Sequence, residues 1–144
     1  MKRVQHYETA RHAWYDLVKS HSQLPESIES YLTFALARHV RHDYGGHVLA
    51  LEWLDMQAMP GQYQLEHLRD FADTCLILSG LFPDYVRCHH VSVNYCQSFG
   101  RLAFSRLASL HASQSREGQA ELYALLEQEF LSMVKVMQAI RDIG

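Results

Sequence analysis

The sequence has no long apolar run and few cysteines. No stretch of its 144 residues approaches the roughly 18 consecutive apolar residues that a membrane-spanning helix needs. The first residues, MKRVQHYETARHAWYD, also lack the apolar core of a signal peptide. Cys75, Cys88 and Cys96 are odd in number and include no CxxC pair, which argues against a disulfide framework. These absences predict a cytoplasmic protein with reduced thiols and no membrane partner.

An excess of positive charge is also absent. The formal net charge is −3 with the histidines neutral, which gives no general attraction to nucleic acid or to an anionic membrane. A small basic patch at residues 38–42 carries no base-reading motif. It fits the C-terminal end of a helix, where cations complement the helix dipole. The sequence therefore argues against a nucleic-acid-binding protein.

No segment alternates convincingly as a β-strand would, and no internal repeat is present. Apolar residues instead recur at helical spacing. We predict one all-α domain spanning residues 1–144, a single-domain helical bundle of five long helices plus short helical turns, six or seven helices in all. The predicted helices cover about residues 4–20, 25–42, 46–58, 62–80, 93–110 and 119–142, with a short helical turn between 84 and 90.

The helices at 62–80 and 93–110 are predicted to pack together as an αα-hairpin. Gly100 lies in the apolar stripe of the second helix. Because Gly inside a helix costs about 1 kcal/mol relative to Ala, we expect it to mark a close approach by another backbone. The 62–80 helix is the expected neighbour.

Two charged residues lie inside these apolar helices, Asp73 in the first and Arg101 in the second. A lone buried charge is costly. We therefore predict that Asp73 pairs with Arg101, or with Arg106, across the hairpin. The pair is either a structural ion pair or the charged lining of a ligand pocket.

The same helices carry a longer residue pattern. Asp73 is followed by Ser79-Gly80-Leu81-Phe82-Pro83, and the later residues Val93, Tyr95, Gly100, Ala103, Phe104, Leu107 and Ala108 complete it. The pattern D-x5-SGLFP, then V-x-Y-x4-G-x2-A-[FY]-x2-LA, resembles a family of uncharacterised small all-helical bacterial proteins. The resemblance covers about the middle third of the chain. It implies a helical bacterial protein and supplies no activity.

Ten histidines are many for this length. His39 and His42 are three residues apart and can share a helix face, and His47 follows across the Gly45-Gly46 turn, so the three form a candidate site for a divalent transition metal. His39 also continues an apolar stripe, which fits a hydrogen-bonded core histidine instead. No Glu-x-x-His pair is present, which argues against a ferritin-like di-iron site.

No complete catalytic motif is present, so the sequence predicts no catalytic residue. The helices at 46–58 and 119–142 carry more apolar residues than one compact layer needs, and exposed apolar area of this kind marks a partner surface. We therefore expect a protein–protein interaction module that forms a homodimer, the commonest soluble oligomer, without catalysis. The alternative is a protein that binds a small ligand or a metal in a pocket between helices, lined by Asp73, Arg101 and the histidines near the Gly45-Gly46 turn.

Overall fold

The computed structural model describes residues 2–39, 49–88 and 92–143. These residues form helices and no strand, which confirms the all-α class. Within the described ranges there are eight helices rather than five long helices with short turns. They are α1 (Lys2–His21), α2 (Glu26–His39), α3 (Leu49–Gln57), α4 (Gly61–Leu81), α5 (Pro83–Cys88), α6 (Val93–Ser113), α7 (Glu117–Gln128) and α8 (Phe130–Arg141). None of the helices in these ranges is long and apolar enough to cross a membrane.

Short polar and proline signals set where three of the helices begin. The Ser92 hydroxyl accepts a hydrogen bond of 3.0 Å from the backbone N–H of Tyr95, which caps the first turn of α6. The carbonyl of Pro25 accepts the backbone N–H of Ile28 at 3.0 Å, at the start of α2. Pro60 precedes α4 in an extended conformation, with φ −83° and ψ 143°. Each proline loses no helical hydrogen bond there, because the first N–H groups of a helix have no partner inside it.

The predicted helix at 119–142 is two helices in the structure. Glu129, between α7 and α8, has φ −94° and ψ 12°. The bend lets α7 pack along α6 while α8 packs against α4 and α1. Hydrogen bonding continues through it, since the N–H of Glu129 donates to Leu125 at 2.8 Å and its carbonyl accepts from Met133 at 2.9 Å. The apolar period also continues through the bend, so tertiary packing divides a helix that the sequence pattern shows as continuous.

Helix α4 is the centre of the fold. It contacts α6 most extensively and also packs against α2, α3, α5 and α8. All its residues from Cys75 to Gly80 are buried. The predicted packing of the 62–80 helix against the 93–110 helix is therefore confirmed as the pairing of α4 with α6.

Two glycines let neighbouring helices approach closely. A Cβ built on Gly100 would lie 2.6 Å from the Phe130 ring and 3.0 Å from the Cβ of Cys75. One on Gly80 would lie 2.7 Å from the Cβ of Met137. The close approach expected at Gly100 is present. It is made by the ring of Phe130 on α8 and by the Cys75 side chain on α4, where the sequence had suggested a neighbouring backbone.

The substitution Gly100→Ala is expected to lower the free energy of unfolding by about 1–3 kcal/mol, because the added methyl overpacks the contact with Phe130 and Cys75. Gly118→Ala is the matched control, since a Cβ there meets nothing within 4 Å. Ala also favours the helix by up to about 1 kcal/mol relative to Gly. Urea denaturation of both variants measures the difference, and equal effects would contradict the close contact at Gly100.

Candidate functional site

Asp73 on α4 is fully buried, and its described partners all lie on α2. Its Oδ1 accepts a hydrogen bond of 2.5 Å from the hydroxyl of Tyr31. Its Oδ2 lies 3.2 Å from Arg38 Nη2 and 3.2 Å from His39 Nε2. Tyr31, Arg38 and His39 share one face of α2, because their spacing matches two helical turns. The burial of a carboxylate is thus compensated by a cation and a short hydrogen bond.

The charges around Asp73 balance. Asp70 lies one turn earlier on α4, and its Oδ1 is 3.7 Å from His39 Nε2 and 3.7 Å from Arg69 Nη2. Two guanidinium groups, those of Arg38 and Arg69, thus face two carboxylates. We call this set of residues the polar centre: Tyr31, Arg38, His39, Arg69, Asp70 and Asp73.

An aromatic wall closes the polar centre on one side. The Tyr31 ring makes edge contacts with Phe104 and Tyr123 at centroid distances of 5.9 and 6.2 Å. Tyr123 in turn stacks on His111 at 5.3 Å with ring planes 9° apart. Burial, followed by the charge of Asp73, raises the pKa of Tyr31 well above its ordinary value. The Tyr31 hydroxyl therefore stays protonated and acts as a donor to Asp73.

The structure does not bring Arg101 or Arg106 to Asp73. Both are exposed on α6, and Arg101 Nη2 lies 3.9 Å from Glu127 Oε1 of α7. Helix α6 places Gly100 against the core, and each following residue is rotated by about 100° around the helix axis. Arg101 and Arg106 therefore lie on the exposed side of α6. The pairing predicted across the hairpin is therefore corrected: the cation beside Asp73 is Arg38. Among the described residues, the fully buried Asp73 and the exposed Arg101 therefore do not meet.

The predicted metal ligands are described only in part, since His42 and His47 lie outside the described residues. His39 is buried at the C-terminal end of α2, against α4. There it meets Asp70 and Asp73, and one ligand atom of each residue lies within 4.8 Å of the others. The structure thus groups His39 with two carboxylates that the sequence pattern did not connect with it.

A second candidate feature is the outer side of α3. The Trp53 ring packs against Phe71 of α4 and Phe99 of α6 at centroid distances of 6.0 and 6.1 Å. These contacts fix the inner side of the helix. Leu51 and Leu54 lie three residues apart on the other side and are 59% and 63% exposed. We call Leu51 and Leu54 the α3 face.

No family model, curated protein or solved structure matches this chain. The resemblance to a family of uncharacterised helical bacterial proteins therefore stays a prediction. The residues that carry it still have structural roles, because Asp73 anchors the polar centre and Gly100 seats the Phe130 ring.

The substitution Tyr31→Phe is expected to lower the free energy of unfolding by about 1.5–3 kcal/mol at pH 7, because it leaves the buried Oδ1 of Asp73 without its donor. Tyr63→Phe is the control. Tyr63 is exposed, so that change should stay within about 0.5 kcal/mol. Urea denaturation measures both variants, and a Tyr31→Phe protein as stable as the wild type would remove the argument for this hydrogen bond.

The pH dependence of the same pair gives a separate test. An unfolded tyrosine ionises near pH 10, whereas the raised pKa of Tyr31 keeps it protonated in the fold. The free energy of unfolding of the wild type should therefore fall as the pH rises above about 10. Tyr31→Phe lacks this group, so its stability deficit should shrink there. A deficit that stays constant between about pH 8 and 11 would contradict the assignment.

Proposed function

We propose that this chain is a protein–protein interaction module, acting without catalysis, that pairs with a second copy of itself through the α3 face. The observation that carries the proposal is the exposure of Leu51 and Leu54, at 59% and 63%, on a helix whose inner side is already packed. When a partner removes exposed leucines from water, the hydrophobic effect stabilises the complex. Side by side on one helix face, they form the centre of a contact surface.

A second copy suits this face because the face is complementary to itself. In a twofold interface the same patch lies on both subunits, so residue i of one meets residue j of the other. Two α3 helices packed antiparallel would place Leu51 of each copy against Leu54 of the other. Asp55 is exposed beside these leucines. Each copy would bring one Asp55 to the same interface, so salt is expected to strengthen the association by screening the repulsion between the two carboxylates.

The last two helices contribute less to this surface than the sequence predicted. Most of their apolar side chains face the core, including the fully buried Leu126, Phe130, Met133 and Met137. Leu131 is exposed at 46%. The apolar surplus expected at 119–142 is therefore largely used in packing on α4 and α6, which narrows the proposed interface to α3.

The proposed place of action is the cytoplasm. Cys75 and Cys96 are buried and Cys88 is exposed, and all three are free thiols. Free thiols, one of them accessible, fit a reducing compartment. Burial raises the pKa of Cys75 well above its ordinary value, which keeps this thiol protonated and unreactive.

Light scattering coupled to size exclusion is expected to show a concentration-dependent dimer. The double substitution Leu51→Ser/Leu54→Ser should weaken the dimer on the order of 100-fold, because four leucines per dimer are lost from the interface. Leu131→Ser removes an exposed leucine from α8 and is the matched control, with the dimer unchanged. Circular dichroism checks that both variants stay folded.

Two outcomes would contradict the proposed dimer. The first is a wild type that stays monomeric up to its highest soluble concentration, in low and in high salt. The second is an equal loss of association in the α3 variant and in Leu131→Ser, which would show that Leu51 and Leu54 have no special role.

A further inference from the structure

Two ligand-atom separations in the polar centre are close to those around a single metal ion, and all three ligand atoms lie within 4.8 Å of one another. His39 Nε2 is 3.2 Å from Asp73 Oδ2 and 3.7 Å from Asp70 Oδ1. Zinc binds nitrogen and oxygen ligands at about 2.0–2.2 Å, so two ligands of one tetrahedral ion lie about 3.3–3.6 Å apart. The observed separations bracket that range. Small side-chain adjustments would therefore bring the three atoms onto one ion.

The surroundings hold the innermost ligand in place. Asp73 is fully buried, and Tyr31 donates to its Oδ1 at 2.5 Å. This hydrogen bond turns the other oxygen, Oδ2, towards His39. Hydrogen bonds to the far oxygen of a ligating carboxylate are a regular feature of metal sites, because they fix the ligand before the ion arrives.

Among the charged side chains of the polar centre, Asp73 is held in place whereas Arg38 and Arg69 can move. Asp73 has no exposed surface, so it cannot turn to solvent. Arg38 and Arg69 side chains are 30% and 37% exposed, so both reach the surface and each guanidinium has room to move towards water. Without them, Asp70 and Asp73 carry two negative charges beside an imidazole, which is the charge complement of a divalent cation.

We propose that His39, Asp70 and Asp73 form a site for a divalent transition metal, and that the Arg38 guanidinium stands in for the ion by pairing with Asp73 Oδ2. This site is independent of the proposed dimer. It also replaces the all-histidine ligand set that the sequence suggested with one histidine and two carboxylates. One imidazole nitrogen and two carboxylate oxygens suit Zn²⁺, Mn²⁺ or Fe²⁺, whereas Ca²⁺ and Mg²⁺ prefer oxygen alone.

An acidic cavity leads to the exposed edge of the site. It has a volume of about 220 Å³ and lies between α3 and α4, with Glu52, Asp55, His67 and Asp70 in its lining. Three carboxylates in one cleft raise the local concentration of cations. Asp70, which belongs both to the cavity and to the polar centre, gives an entering ion its first ligand.

The test is a titration of the untagged full chain, prepared without chelator, with Zn²⁺, Mn²⁺ and Co²⁺ by isothermal calorimetry. Visible absorption of the Co²⁺ form reports the ligand geometry. We expect one ion per chain. Asp70→Asn should weaken binding by at least about tenfold, and its exposed position makes loss of folding no obstacle. Glu66→Gln, an exposed acid on the same helix, is the matched control and should leave the affinity unchanged.

Arg38→Gln separates the proposed site from a purely structural ion pair. If Arg38 competes with the ion for Asp73 Oδ2, its removal should tighten metal binding by about tenfold. If Arg38 only neutralises Asp73, the variant should melt at a lower temperature and gain no metal affinity, which overturns the proposal. The proposal also fails if wild type and Arg38→Gln both bind none of the three ions, or if binding survives Asp70→Asn and is lost in His42→Gln.

Discussion

The burial of the Asp73 carboxylate determines how the N-terminal helices meet the central one. A carboxylate without solvent contact needs a cation and hydrogen-bond donors, and α2 supplies them from Tyr31 and Arg38, with His39 Nε2 3.2 Å away. These three residues span two turns of α2, so the contact fixes both the rotation of that helix and its height along α4. The aromatic rings of Phe104 and Tyr123 pack on Tyr31. The polar contact thus also sets where α6 and α7 meet α2.

The sequence was sufficient to predict the helices and to predict that Asp73 has a charged partner. It did not identify that partner. Helical spacing located the elements because each one carries a clear apolar stripe. To predict the partner of Asp73, one must know how α2 is rotated about its own axis. The spacing of residues within α4 and α6 gives no information on that rotation. Arg38 was interpreted as a charge at a helix end, although its distance of seven residues from Tyr31 already placed both on one face. The bend at Glu129 was missed for a related reason, since the apolar period runs through it unchanged.

The two proposed sites share α4. Phe71 supports the ring of Trp53 beneath the α3 face, while Asp70 and Asp73 of the same helix face α2. The acidic cavity between α3 and α4 connects them, because Asp55 lies beside the exposed leucines and Asp70 belongs to the polar centre.

The bend at Glu129 also has a consequence for the order in which the chain folds. Helices α4, α6 and α7 follow one another closely in sequence, so their mutual contacts form with little loop-closure entropy. Helix α8 instead returns to pack on α1, more than a hundred residues earlier in the sequence. Such distant contacts form late. During synthesis α1 can already pack on α2, whereas the part of α4 that Met137 contacts at Gly80 stays uncovered until α8 emerges.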